Sequence, residues 1–476
     1  MLFNSFGFLL FLPVAATLFW MLPNRLRLPW MLLASLIFYG SFGLENLAYL
    51  GIVVAIALTA GRYLLLPDAR MRETAFWGGV AAILGLLAVL KYYDPIAETV
   101  SWLPRLGLIS PAGFSFYAFT AIALLADRYR APPEAPEPPL HDVIFLAWFP
   151  KILAGPIERV GPFAAALRKP ATVDPALVTL GLQLILWGLV KKVVIADNLA
   201  PFVDRTYAIP DYAVPLELII ASYFFAFQIY CDFSGYTDIA RGVSLLFGIE
   251  LAENFRRSYF AHSIGEFWSR RWHVSLSDWF RDYVYYPFCG EGPTALRLYL
   301  GAMLVFIASG IWHAGLGYGI GMGFLVWGFL NGLYLWIERA LNPLRRKLRG
   351  RIRGTFFEPV HVMLATLLVF HLILISWVFF RATTISASLT ILRRMWDALP
   401  EMPGLLLRYP FTAEHAFLTG LIFALLAIEF AFEKSSLRRR VTGAPRPVRW
   451  LAWYACLFAL IFLGRWQSEA FVYMQF

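Results

Sequence analysis

The chain has 476 residues, of which 59% are hydrophobic and 15% charged, with a formal net charge of +10. A soluble domain carries about 25% charged residues, so the composition excludes a soluble globular enzyme and points to an all-α polytopic membrane protein. The positive excess is not a nucleic-acid signal, because much of it lies in short basic loops such as RRKLRGRIR at 345–353 and KSSLRRR at 434–440, which orient membrane proteins and can hold acidic lipid or a phosphorylated substrate.

Apolar runs occupy 3–22, 29–44, 46–66, 75–93 and 112–127. The first is followed by Arg25 and Arg27 and has no basic residue before it, the pattern of a reversed anchor rather than a cleaved signal peptide. Arg62, Arg70 and Arg72 flank the third run, and Arg128 and Arg130 follow the fifth. The positive-inside rule then places the N-terminus outside and the proline-rich 128–142 loop inside, as an extended connector. From 143 onwards the pattern loosens: VIFLAWFPKILAGPIERVGPF is too interrupted for a simple span. Runs at 176–196, ending in Lys191, Lys192 and Asp197, and at 215–230 are expected spans. The segment 254–289 is charged and aromatic throughout, as a helix lying in the interface would be. Regular runs return at 298–312, 317–337, 358–380, 415–432 and 450–464, and put the C-terminus outside. This predicts about 11 spans, each of roughly 20 residues. Irregular backbone at membrane depth is tolerated only where protein or a cavity covers it, which places a buried site in the middle third.

Two histidines there differ in setting. His273, in RRWHVSLS, lies among charges and tryptophans in sequence. On a helix, Glu266 and Arg270 are four apart, as are Asp278 and Asp282, while Trp268 and Trp272 share a face. Periodicity alone leaves open whether this segment is an interfacial anchor or a site. His313 ends an apolar run without charges, where an ionisable side chain is expensive unless it faces a bundle interior or a cavity. It can serve as a structural hydrogen-bond donor between helices. Yet Gly310, Ala314, Gly315, Gly317 and Gly319 around it let backbones or a substrate come close, and a neutral imidazole there can act as a general base. His361 and His371 lie on an apolar helix, and His262 and His415 read as peripheral. Asp232 and Asp238, in YCDFSGYTDIARG, fit either structural roles or a broken helix lining a cavity. The Gly-Pro turn in FPKILAGPIERVGPF reads as a loop, with phosphate binding as the alternative. Cys231, Cys289 and Cys456 show no metal-ligand spacing or disulfide framework and read as packing residues.

Eight stretches carry a resemblance: GFSFYAFTAIALLADRYR, FPKILAGPIERVGPF, KKVVIADNLAPFVDRTYA, YCDFSGYTDIARGVSLLFGIELAENF, EFWSRRWHVSLSDWFRDYVYYPF, GIWHAG, WVFFRA and FVYMQF. In this order, over nearly the whole chain, they resemble the membrane-bound O-acyltransferase (MBOAT) family in its bacterial alginate O-acetyltransferase branch. The resemblance implies one integral-membrane domain over 1–476, with N-terminal helices in 1–130, a catalytic core in 143–338 and C-terminal helices in 355–476. It implies an MBOAT-like bundle with re-entrant or interfacial helices around a buried tunnel. The essential histidine of the family's WHG-like motif carries over to His313, and that of its RWHxS motif to His273. Trp312, Trp272, Arg271, Ser275, Asp232 and Asn254 are the expected substrate-binding residues. Two departures stand out: Ala314 replaces the usual glycine, and WGFLNG puts Asn331 where many relatives carry a further histidine.

The expected reaction moves an acetyl group from a cytoplasmic thioester, acetyl-CoA, towards an exported polysaccharide through an extracytoplasmic acetyltransferase partner. His313 is the expected base, and His273 orients the thioester. No permanently bound cofactor, metal or nucleic acid is expected; membrane lipid is a partner, and the bacterial inner membrane is the expected location. D-alanyl transfer from a carrier-protein thioester to teichoic acid is the alternative within the family. A transporter with an intramembrane His and Asp path is the alternative outside it, with no inverted repeat to favour it.

Overall fold

The computed structural model describes residues 1–108, 110–132, 137–169, 172–314, 321–433, 445–466 and 471, and every regular element among them is helical. Helices are what lipid demands, because each backbone N–H and C=O finds its partner within the segment. Seven helices are long and apolar enough to cross a membrane: Leu44–Tyr63, Ala69–Ala97, Pro175–Ala208, Pro215–Leu246, Ala295–His313, Phe357–Arg381 and Ala413–Ala431. The chain is a multi-pass membrane protein. The other apolar runs also form helices, of a different character. Phe6–Met21, Asn24–Gly40, Phe114–Arg130 and Arg446–Phe462 have 16 or 17 residues, short of the roughly 20 that cross a bilayer. Met322–Ile352 is long but takes in Glu338, Arg339 and the basic run at 345–351.

The chain divides into two compact units, the first chiefly Met1–Leu189 with Gly235–Glu253, the second chiefly Val190–Ser234 with Asn254–Gln467. In the first unit, glycines bring two helices to backbone contact. A Cβ on Gly181 would lie 2.7 Å from the carbonyl oxygen of Gly242, and one on Gly188 2.6 Å from that of Gly235. The FPKILAGPIERVGPF stretch folds as a short helix, Phe149–Ile152, and a loop before the helix Val160–Arg168. Lys151 is buried, with its Nζ 4.5 Å from the Phe145 ring centre and 5.7 Å from that of Phe163. Glu158 accepts from the Ala252 N–H at 2.6 Å. The lysine sits among aromatic rings with the Glu158 carboxylate near enough to balance its charge, which favours the loop reading.

In the second unit the helix Ala295–His313 packs along Met322–Ile352, which packs along Phe357–Arg381. Glycines again set the spacing. A Cβ on Gly310 would stand 2.6 Å from the Phe324 oxygen, one on Gly328 2.4 Å from the Phe306 oxygen, and one on Gly323 2.5 Å from the Phe379 oxygen. These contacts are with backbone, which cannot rotate away. Gly328→Val therefore has to force the His313 helix off its neighbour, at about 1–3 kcal/mol or more. Gly350→Ala, on the same helix with nothing near its Cβ, is expected to be neutral or slightly stabilising. Thermal unfolding of the two variants in detergent checks the contrast.

Two expectations change here. The helix Pro215–Leu246 runs unbroken through YCDFSGYTDIARG, because Gly235 and Gly242 serve close packing and the acids find cations nearby: Asp232 pairs with Lys192 at 2.7 Å and Asp238 with Arg241 at 3.6 Å. Lys191 and Lys192 do not end a span. The helix passes through a π-helical stretch, Val190–Ala196, and continues as Asp197–Ala208, with Lys192 neutralised in place by Asp197 and Asp232 and Lys191 donating to Ser234 Oγ at 3.0 Å.

Candidate active site

The 254–289 segment is not one interfacial helix. It holds a 3-10 turn at Ser258–Phe260, a helical turn at Ile264–Glu266, a π-helical turn at Phe267–Arg271 and a helix at Val274–Phe280. The π turn, closed by the Trp272 N–H to the Phe267 oxygen at 2.8 Å, adds a residue to the repeat. Glu266 consequently pairs with Arg271 at 2.7 Å, and not with Arg270 as ordinary helical spacing predicts. Asp278 and Asp282 share Arg281 between them.

His273 interrupts the helix with φ 44° and ψ 54°, a left-handed conformation that costs a non-glycine residue roughly 1–2 kcal/mol. Asn254 holds the chain there. Its carbonyl accepts from Val274 N–H at 3.0 Å, and its Oδ1 accepts from Ser275 N–H at 3.1 Å and Ser275 Oγ at 3.0 Å. The imidazole is buried, with ring centres of Phe233 at 4.7 Å and Phe255 at 6.3 Å. Its sequence neighbours are charged; these spatial neighbours are aromatic.

Burial lowers the His273 pKa from 6.5 to about 3, so the ring is neutral at physiological pH. Below pH 6.5 the unfolded chain takes a proton that the folded one refuses until about pH 3. The stability contribution is therefore fully present above that window and is lost as pH falls through it, by up to about 1.4 kcal/mol per unit. Chemical unfolding in detergent from about pH 7 down to about pH 5 should show this decline, and His273→Gln should remove one proton's worth of the slope.

His313 occupies the last turn of Ala295–His313 and is buried. Trp312, Trp327, Phe380 and Phe324 surround it at ring-centre distances of 4.5, 5.3, 5.1 and 6.0 Å. Gly310, one turn earlier, admits the Phe324 backbone; Gly315, Gly317 and Gly319 lie outside the described residues. Ala314 has φ −69° and ψ 165°, extended geometry that any residue adopts, so the motif's glycine is not needed there for backbone reasons. Asn331 is buried and acts as a clamp: its Oδ1 accepts from Trp268 Nε1 at 3.1 Å, and its Nδ2 donates to the Trp327 oxygen at 2.8 Å.

An aromatic cluster joins the two histidines. From His313 it runs through Trp327 to Trp377 at 6.1 Å, Trp272 at 5.0 Å, Phe255 at 5.1 Å and so to His273. Trp312 and Trp272 thus lie in or beside the cluster, and Asn254 and Ser275 support His273. Arg271 spends its guanidinium on Glu266, Glu433 at 2.8 Å and the Arg257 oxygen at 3.2 Å. Asp232 is held by Lys192, and Phe233, the next residue, meets His273. Neither charge is spare in this structure, which gives both a supporting place in the site.

In the sequence, Trp377 and Trp327 stand only inside motifs, without a role, and the Lys192 ion cluster is not legible. Helical spacing cannot bring together residues from segments 60 to 100 positions apart. Intramembrane charge was the available signal for Lys192.

The arrangement offers a buried imidazole in an aromatic setting, with a second one beyond the cluster, and an imidazole so placed can take a proton from a hydroxyl. Residues 103–382 match the membrane-bound O-acyltransferase (MBOAT) family. The peptidoglycan O-acetyltransferase of Helicobacter pylori is 33% identical over 437 residues, covering 83% of this chain and 80% of that protein. A probable alginate O-acetylase of Azotobacter vinelandii is 32% identical over 401 residues, covering 82% and 76%. The teichoic acid D-alanyltransferase of Bacillus subtilis is 28% identical over 271 residues, covering 55% and 67%.

Proposed function

The chain belongs to the membrane-bound O-acyltransferase family, and from that premise we propose that it transfers an acetyl group from acetyl-CoA, presented at the cytoplasmic face, towards an exported polysaccharide. The supporting observation is the pair of buried histidines at the two ends of one aromatic cluster. His313 takes the proton of the accepting hydroxyl, and His273, neutral and fixed by the Asn254 clamp, orients the thioester. Trp312 and Trp272 line the path; Arg271, Ser275, Asp232 and Asn254 hold its walls in place.

The hydroxyl belongs to an extracytoplasmic acetyltransferase partner that passes the group on to the polymer. An apolar interior offers little with which to read a sugar, so specificity is better placed outside the membrane. In this reading the protein lies in the bacterial inner membrane, with both termini outside, about 11 spans and a tunnel between the two faces. The lipid around it is its remaining partner.

Acetyl transfer is preferred because the relatives named for O-acetylation are more similar to this chain, and over more of it, than the D-alanyltransferase. The deciding experiment offers the purified protein radiolabelled acetyl-CoA or an acylated carrier protein and follows loss of the thioester. Consumption of acetyl-CoA alone fits the proposal; strict dependence on the carrier protein would move the chain to the D-alanyl branch. Movement of intact substrate in proteoliposomes without thioester cleavage would favour a transporter.

A further inference from the structure

Six indole N–H groups in the structure donate to a partner. Trp20, Trp30, Trp336 and Trp466 donate to backbone carbonyls, Trp148 to Ser244 Oγ, and Trp268 to Asn331 Oδ1. Trp327 and Trp377 differ. Both are almost fully buried, at 2% and 1% exposure, and the Nε1 of each has no hydrogen-bond partner among the described residues. Leaving such a donor unpaired costs about 1–3 kcal/mol each, and native interiors rarely carry two side by side. These two are neighbours, stacked at 15° with centres 6.1 Å apart. Phe380 touches both rings and also His313, at 5.5, 5.1 and 5.1 Å, and Trp327 itself meets His313 edge-on.

Two unsatisfied donors, Trp327 against the expected base and Trp377 one ring further on, call for an acceptor that arrives with the substrate. We propose that the indole N–H groups of Trp327 and Trp377 receive the carbonyl oxygen of the acyl thioester during transfer, an inference that rests on the acyltransferase reading above. The acceptor hydroxyl oxygen attacks the thioester carbon, and its proton passes to His313. The carbonyl electron pair moves onto oxygen, where the two N–H donors hold the charge. The pair then returns, the C–S bond breaks, and the sulfur takes the proton from the imidazolium. An ester and a free thiol leave. Donors fixed where charge develops need no reorganisation, and in a water-poor site they act with full strength.

The same donors could instead hold an amide carbonyl of the donor's pantetheine arm, and kinetics separate the two. Trp327→Phe and Trp377→Phe in the full-length protein keep an aromatic ring and lose the N–H. Transfer from acetyl-CoA should fall about 100-fold in kcat for each, with KM little changed. Their unfolding temperatures should drop less than that of Trp268→Phe, which breaks a made hydrogen bond. A rise in KM with kcat intact would assign the donors to the arm and overturn the proposal. So would unchanged kinetics, or a loss of kcat matched by loss of folded protein. His313→Ala in the same assay isolates the premise. Loss of transfer there with fully active tryptophan variants removes this inference alone; a parent inactive with both acetyl-CoA and an acylated carrier protein removes the reading and the inference together.

Discussion

His313→Ala is expected to abolish acyl transfer while the protein still folds. Trp312, Phe324, Trp327 and Phe380 pack against the ring, and none of these four side chains is a base that can take over the proton. General-base catalysis alone is worth about 10²–10⁴-fold, and loss of the base should cost at least that in kcat. Truncating a buried ring also leaves a cavity, worth up to about 3 kcal/mol of stability, which an activity assay by itself would confuse with lost chemistry. His313→Gln fills more of the space and cannot act as a base. It should be as inactive as the alanine variant but closer to the parent in unfolding temperature. Substantial transfer by either variant, from protein that remains folded, would remove His313 from the centre of the mechanism.

The sequence showed the helices well where one apolar run makes one helix, as at Leu44–Tyr63 or Phe357–Arg381, because apolar length alone dictates that outcome. It singled out His313 through the cost of an ionisable group in an apolar run, while His273, among charges, stood out only by resemblance. It misled where tertiary partners change local rules. Ordinary helical spacing pairs Glu266 with Arg270, but one π turn hands Glu266 to Arg271. Charges at 191, 192 and 197 resemble the end of a span until Asp232, 40 residues away in sequence, neutralises Lys192. Glycines at 235 and 242 look like a helix break, yet they allow another helix to touch backbone. In each case the deciding partner lies in register slip or long range, which periodicity does not encode. The tryptophan donors are a further instance, since nothing in WGFLNG or WVFFRA says whether an indole N–H will find a partner.

Lys192→Met should produce the largest loss of stability from a single side chain. Its Nζ lies 2.7 Å from Asp232 Oδ1 and 2.8 Å from Asp197 Oδ1, and all three residues are buried, at 1%, 1% and 2% exposure. Methionine matches the length of the stem and packs readily, so the change is chiefly electrostatic: two carboxylates remain in the interior, stripped of the Lys192 ammonium. Breaking a buried ion pair from one side costs about 3–5 kcal/mol. Removing a second charge should restore part of it, so Lys192→Met with Asp232→Asn should be more stable than Lys192→Met alone. That sign is opposite to additive behaviour and is the signature of coupling. The exposed pair Arg205 and Glu414, at 2.6 Å with side chains about half accessible, supplies the contrast, since such pairs are worth about 1 kcal/mol or less. Because Phe233 follows Asp232 and meets His273, the loss should reach the site as well: transfer in Lys192→Met should fall even at temperatures where the protein stays folded, and should recover in part in the double variant. An unfolding temperature equal to the parent's in Lys192→Met would mean that the cluster is not what anchors the His273 side of the site.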